Sequence, residues 1–333
     1  MSNMSGRNEN DIKNEAKAKE LMNGYDLLQE WYYANDEKTT KGRLAYIRYI
    51  IDYFKYLVEQ NSNCNINNVD TFDTIKMIDI NRYMNSIKYY TDKDGITKPL
   101  GGSIRNARLA AIRSFFTYLV SVGYINSDPT AKVANPKTKI EKEVVYLEKE
   151  DIDKILEDID TNPSVRYTNG KKKRDKLIIN IGCKTGLRET AISEINVEDI
   201  DFINKKILVT EKGNVTREIF LGNNTISDIQ EYLPYREIML KGNECNALFI
   251  SSRKERVQPA HIKKLMRRAS EVIGKKVSPH KMRSTCAVNL YDKTGDIYLV
   301  KEVLGHKNIA NTQRYARVSA NRKREAAAIL DEL

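Results

Sequence analysis

Histidine is scarce in this chain, and one histidine sits where an anion would be held. Only three occur, His261, His280 and His306. His280 lies in Ser278-Pro279-His280-Lys281-Met282-Arg283. Ser278 is a good N-cap and Pro279 suits the first helical position, so the segment predicts a helix start. His280 and Arg283, three residues apart, then share one face near the positive end of that helix. A histidine beside an arginine at a helix N-terminus makes a site for an anion. His306 follows Leu304-Gly305, and Gly305 is the expected terminator of a helix over Ile297–Leu304. Tyr315 comes nine residues after His306. Alone, in a chain with 19 tyrosines, it reads as a packing residue. Cys183-Lys184-Thr185-Gly186-Leu187-Arg188 is superficially like a phosphate loop. It lacks the spaced glycines and the Gly-Lys-Ser/Thr end, so a nucleotide site is not supported. Gly186 marks a helix end there, and Arg188 opens the next helix.

The second charged feature is the stretch Pro259 to Gly274. Ile262, Leu265, Met266, Ala269, Val272 and Ile273 recur at helical spacing and predict one apolar face. Lys263, Lys264, Arg267 and Arg268 make the other face, with almost no acid between them. Such a face is often only solvated, but its sign fits phosphate contact. Lys212 falls at a predicted hairpin tip, Glu211-Lys212-Gly213-Asn214, between strands over Lys206–Thr210 and Val215–Leu221. By itself it is an exposed turn lysine.

The elements that must position these residues read as mainly α. Helices are expected over Leu21–Tyr33, Gly42–Gln60, Asp79–Tyr90 and from an N-cap at Ser103 to just before Gly123. In the second of these, Leu44, Ile47, Ile51, Phe54, Leu57 and Val58 form the apolar stripe. Residues 91–102, with Asp94-Gly95 and Pro99, read as a loop. Residues 1–19 are expected to be a disordered tail and residues 20–136 an all-helical domain of about four helices. Asp128-Pro129 and Asn135-Pro136 stop regular structure, and 137–143 reads as a linker. Residues 144–333 read as a second helical domain with a small antiparallel β-sheet.

Composition sets the outer limits. The chain has 333 residues, 41% hydrophobic and 30% charged, enough for two real cores and against wholesale disorder. No apolar run is long enough to span a membrane. The polar first twenty residues lack the apolar centre of a signal peptide, so a cytoplasmic location is expected. Four dispersed cysteines, Cys64, Cys183, Cys245 and Cys286, form no CxxC pair and imply neither zinc nor a disulfide framework. A net charge of +11 favours a polyanionic partner, nucleic acid first. Residues 253–276 alone hold nine basic and two acidic side chains. No segment pairs a basic face with exposed aromatics, which argues against membrane binding.

Taken in order, Thr185-Gly186-Leu187-Arg188, Lys212-Gly213-Asn214, His280-x-x-Arg283, Leu304-Gly305-His306 and Tyr315 resemble the motif set of the tyrosine site-specific recombinases, the phage integrase family. The resemblance implies a two-domain DNA clamp, a helical core-binding domain followed by a catalytic domain. It implies Arg188, Lys212, His280, Arg283, His306 and Tyr315 as the catalytic set, with no cofactor and no metal. One position departs. The family usually has an acid three places after its first arginine; here that place is Ala191, and Glu194 is expected to compensate.

The chemistry of these residue types agrees with the resemblance. Arginines neutralise non-bridging phosphate oxygens with planar, permanently charged forks. His306 adds a hydrogen bond as charge grows on the phosphorane. Tyr315 is the nucleophile and His280 accepts or returns its proton. The resemblance assigns protonation of the leaving 5′ oxygen to Lys212. It also implies double-stranded DNA with inverted-repeat sites, a tetramer on two sites and accessory proteins as partners. Arg105, Arg108 and Arg113 join the basic face at 263–268 as candidate DNA contacts. The apolar tail Ala326–Leu330 is a candidate docking segment, onto a neighbouring protomer or its own domain. With only about twenty polar residues ahead of the first helix, no additional arm-binding domain is expected. The expected role is integration or excision of a mobile element, or resolution of DNA multimers. The rivals are a type IB topoisomerase and a catalytically inactive DNA-binding protein.

Overall fold

The structure, a computed structural model, describes residues 6–61, 65–137, 144–162, 168–211, 215–316 and 331. Lys212, Cys64, most of the expected linker and the tail at 326–330 lie outside them. The chain divides into two compact units, Met1–Ile140 and Glu141–Leu333.

The first unit holds helices α1 (Gly6–Leu21), α2 (Asp26–Ala34), α3 (Thr40–Gln60), α4 (Val69–Asp73), α5 (Met77–Ser86) and α6 (Gly102–Ser121). Between α5 and α6 lies a hairpin of β1 (Tyr89–Thr91) and β2 (Thr97–Pro99). Helix α3 follows its apolar steps: Leu44, Ile47, Ile51, Phe54 and Leu57 are buried, whereas Val58 is on the exposed side. Thr39 caps this helix by accepting a hydrogen bond from the Gly42 amide at 3.2 Å. The core is aromatic. Phe54 and Phe72 each pack edge-on against Phe115 of α6, at 5.2 and 5.3 Å between centroids.

Three expectations for this unit need correction. Residues 6–21 form a helix where a disordered tail was expected. Its Glu, Ala and Lys content favours helix, and its C-terminal end is anchored by Ala18, buried against α3 with Met22. The unit is also not all-helical, because the hairpin takes the last residues of the helix expected over Asp79–Tyr90 and much of the loop expected at 91–102. All six strand residues are exposed, so no apolar alternation marks them. The turn is held by Asp92, whose carboxylate accepts from the Asp94 and Ile96 amides at 3.0 Å. Finally, the cap of α6 is Gly101 rather than Ser103.

The second unit contains α7 (Lys149–Thr161), α8 (Asn169–Thr185), α9 (Glu189–Glu194), β3 (Ile200–Asp201), β4 (Lys206–Glu211), β5 (Val215–Phe220), α10 (Asn223–Leu240), α11 (Pro259–Ile273), α12 (Pro279–Thr294), α13 (Ile297–Leu304) and α14 (Ala310–Ala316). The strands form one antiparallel sheet, β3-β4-β5, one strand more than the sequence pattern shows. Helix α8 is central and packs against α10 and α12, with Ile178, Ile179 and Ile181 fully buried. A buried polar cluster joins α8 to α11. Asp175 accepts from Arg174 at 2.8 Å and lies 2.9 Å from His261, while Arg174 donates to the Ile250 carbonyl at 2.8 Å. Burial alone would raise the Asp175 pKa, but His261 and Arg174 outweigh it and hold the carboxyl below its usual range. No helix among the described residues is long and apolar enough to cross a membrane.

Candidate active site

The site is built around one buried guanidinium. Pro279 stands at the first turn of α12, and Arg283 follows one turn later with 1% of its surface exposed. Arg283 Nη1 donates to the Gly186 carbonyl at 2.6 Å, and Nη2 donates to the Leu304 carbonyl. Each acceptor belongs to a helix end. Gly186 closes α8 at φ +66°, and Gly305, which follows Leu304, closes α13 at φ +64°. Both conformations favour glycine. Arg283 therefore ties together the turn that leads to Arg188 and the turn that leads to His306.

The turns also touch directly. A side chain at Gly186 would lie 2.5 Å from Leu304 Cδ2, and one at Gly305 would lie 3.1 Å from Arg217 Cζ. Arg217, on β5, donates to the Val303 carbonyl at 2.8 Å. The sheet is thus pinned to the end of α13, beside His306. Val209 and Arg217 are paired across β4 and β5.

His306 is oriented by α14. Its Nδ1 lies 2.8 Å from the hydroxyl of Thr312, which is fully buried. Tyr315, one turn further along α14, is 1% exposed and packs with Val144, Cys286, Val288, Val300 and Leu304. Its ring stacks on that of His306, with centroids 6.4 Å apart.

A cavity of about 530 Å³ opens among Arg188, His280, Arg283, His306, Arg314 and Tyr315. It brings together five of the six residues expected to be catalytic; the sixth, Lys212, lies outside the described residues. The His280 pKa is lowered, first by burial and then by the charges of Arg283 and Arg314, so its imidazole is neutral at pH 7. Ala191 is 2% exposed in the core and offers no carboxylate. Arg188 is the N-cap of α9, and Glu194 is the last residue of that helix. Sequence reasoning missed Arg217, Thr312 and Arg314. Only Arg314 carried a signal, a cation adjacent to Tyr315.

The other candidate contacts divide. On α11, Lys263 and Arg267 are exposed and line a groove of about 420 Å³ with Lys276 and His280. Lys263 lies 3.7 Å from Glu189. Lys264 is exposed. Arg268 turns away and pairs with Asp158 of α7 at 2.6 Å. In the first unit, Arg108 pairs with Asp52 at 3.1 Å and donates to the Tyr83 hydroxyl at 3.2 Å. Arg113 donates to Asn135 Oδ1 at 2.6 Å and to the Val133 carbonyl. Arg105 is half-buried, and its Nε has no hydrogen-bond partner. Among the described residues no group of three or more histidine, cysteine, aspartate or glutamate side chains could hold a metal.

Fold and site together define a mostly helical protein of two units, with arginine, histidine and tyrosine converging on one cleft of the second. The sequence model of the Phage integrase family matches residues 145–322. The chain is 30% identical to tyrosine recombinase XerC of Caldanaerobacter subterraneus subsp. tengcongensis, over 85% of this chain and 79% of that one. It is also 30% identical to XerC of Alcanivorax borkumensis, over 62% of this chain and 66% of that one. Its fold is similar to XerH site-specific recombinase bound to palindromic difH substrate, with TM-score 0.68 and 22% identity over 91% and 84% of the two chains. It is likewise similar to the Tn1549 transposon integrase in complex with transposon right end DNA, with TM-score 0.67 and 18% identity over 92% and 98%. The chain belongs to the phage integrase family of tyrosine site-specific recombinases. It is an enzyme that breaks and rejoins DNA strands by transesterification.

Proposed function

We propose that this recombinase cuts each strand with Tyr315, forming a 3′-phosphotyrosyl link and a free 5′-hydroxyl. The observation that carries this reading is the convergence of Arg188, His280, Arg283, His306 and Tyr315 on one cavity. The Tyr315 phenol oxygen attacks the scissile phosphorus and the P–O5′ bond breaks. The phenol proton passes to His280, whose neutral imidazole suits a base. Arg188 and Arg283 neutralise the non-bridging oxygens, and His306 donates to the charge that grows in the transition state. Lys212 protonates the departing O5′. Bond energy stays in the phosphotyrosyl ester, so the 5′-hydroxyl of a second strand can reverse the step and religate without ATP.

Two duplexes must exchange strands, so the working unit is a tetramer on two double-stranded sites with inverted repeats. A tetramer on a Holliday junction is the state of the structurally similar lambda integrase. Integration or excision of a mobile element and resolution of DNA multimers both draw on this chemistry. Lys263, Lys264 and Arg267 supply phosphate contacts beside the cleft.

The test is a denaturing gel. The protein is mixed, in EDTA, with labelled duplexes flanking its gene and with duplexes selected from random-sequence DNA. A covalent protein–DNA band that disappears in Tyr315→Phe is the expected result. Binding without any such band, even on nicked substrates that trap the intermediate, would support a DNA-binding role without catalysis. Supercoil relaxation without recombinant product from two sites would support a topoisomerase.

A further inference from the structure

The cleft contains a third arginine. Arg314 immediately precedes Tyr315 in α14 and lines the same cavity as Arg188 and Arg283. Its guanidinium carbon lies 5.8 Å from the centroid of the Tyr315 ring, the outer edge of cation–π range. Among the described residues its guanidinium is in no ion pair and no hydrogen bond, in contrast to Arg108, Arg113 and Arg268. Arg283, by comparison, is buried and has two nitrogens committed to backbone carbonyls. A half-exposed guanidinium without a carboxylate, held in a cleft with two others, leaves a concentration of positive charge that an anion would neutralise. The charge acts across the cavity, since Arg314 contributes to the depression of the His280 pKa.

We propose that Arg314 is a third phosphate-binding arginine of the active site, donating to a non-bridging oxygen of the phosphate held by Arg188 and Arg283. This assignment rests on the recombinase reading above. The bland alternative is a cation that merely suits the C-terminal turn of α14. The two differ in what they do to the reaction: a helix-end charge affects stability, whereas a phosphate ligand affects the transition state.

The experiment uses the full chain on a nicked duplex carrying a site selected from random-sequence DNA, and follows covalent adduct formation. Arg314→Gln is compared with the unaltered chain and with Arg188→Gln. Each is tested on the ordinary phosphodiester and on a scissile methylphosphonate, where a neutral methyl replaces one charged oxygen. Arg314→Gln is expected to slow adduct formation roughly 10- to 100-fold on the phosphodiester. On the methylphosphonate, which is neutral in the ground state and develops charge on only one non-bridging oxygen, the deficit should shrink to less than about threefold, as for Arg188→Gln. An undiminished rate on the phosphodiester would overturn the assignment, as would an equal loss on both substrates. If Arg314→Gln does not fold, Arg314→Lys carries the same comparison through the ratio of its two rates. No adduct from the unaltered chain on either substrate would overturn the recombinase reading itself.

Discussion

The rings of His306 and Tyr315 lie 13° from parallel, with their centroids 6.4 Å apart. His306 follows α13 and Tyr315 lies in α14, and a hydrogen bond between His306 Nδ1 and the hydroxyl of Thr312, on the tyrosine's own helix, couples the two segments. Thr312→Val keeps the shape of this fully buried side chain and removes the bond. Its expected cost is about 1 kcal/mol of stability, measured by urea unfolding. Adduct formation should slow about tenfold as the imidazole loses its orientation, and Thr312→Ser should restore most of the rate. Full speed in the valine variant would show that the bond does not serve catalysis.

Gly186 is the tightest point of the site. It holds a left-handed conformation, which costs other residues about 1–2 kcal/mol. A side chain there would also strike Leu304 Cδ2 at 2.5 Å and crowd Cys286 Sγ at 3.3 Å. Gly186→Ala should therefore lose at least about 2 kcal/mol of stability. It should lose activity further, because the same turn presents Arg188 and accepts from Arg283. Adduct formation measured well below the melting temperature separates the two effects. An alanine variant with unaltered cleavage would mean that Arg188 does not depend on this turn.

His280 gives the site a pH dependence with a definite sign. Burial, then Arg283 and Arg314, lower its pKa below the ordinary imidazole value of 6.5. Cleavage that needs the neutral imidazole should stay level as pH falls through 6.5 and decline only below the folded pKa. Stability follows the same direction. Between the folded and unfolded pKa values the unfolded chain binds the extra proton, so stability rises with pH. This contribution is fully present above about 6.5 and declines as acid is added below that. Among the described residues Glu189 is the one opposing influence, so Glu189→Gln should move the His280 titration further toward acid. NMR of the imidazole measures it; an inflection above 6.5 in the unaltered chain would contradict the environment seen here.

Much of this was legible in the residues, and what was not has physical causes. The helix starts at Pro259 and Pro279 and the stops at Gly274 and Gly305 follow rules local to a few residues. The cleft was legible only as ordered motifs, because its members come from the N-cap of α9, from α12, from the segment after α13 and from α14, and meet through tertiary bonds. Arg283 looked like one half of a surface anion site. In the structure it is a buried tie between two turns, a role that depends on carbonyls 97 and 21 residues away. The hairpin at 89–99 escaped because a wholly exposed strand pair leaves no pattern of burial. Arg108 and Arg113 likewise carry no sign in the sequence that Asp52 and Asn135 would engage them.

The basic face of α11 supplies the sharpest separation of binding from stability. Arg267 and Arg268 are neighbours in sequence but point to different surroundings. Arg267 is exposed in the groove beside His280, whereas Arg268 pairs with the Asp158 carboxylate and donates to its carbonyl at 3.2 Å. A phosphate contact releases counterions, so its removal reduces the slope of log K against log salt by about 1. Arg267→Gln should show that reduction, with stability unchanged within about 0.5 kcal/mol. Arg268→Gln should do the reverse, losing about 1–2 kcal/mol of stability from a half-buried, charge-assisted pair and leaving the salt slope intact. Titrations of a labelled duplex between low and moderate salt, set beside urea unfolding of the same two variants, measure both quantities. Equal salt slopes for the two variants would mean that α11 does not meet the phosphate backbone through the face that carries Arg267.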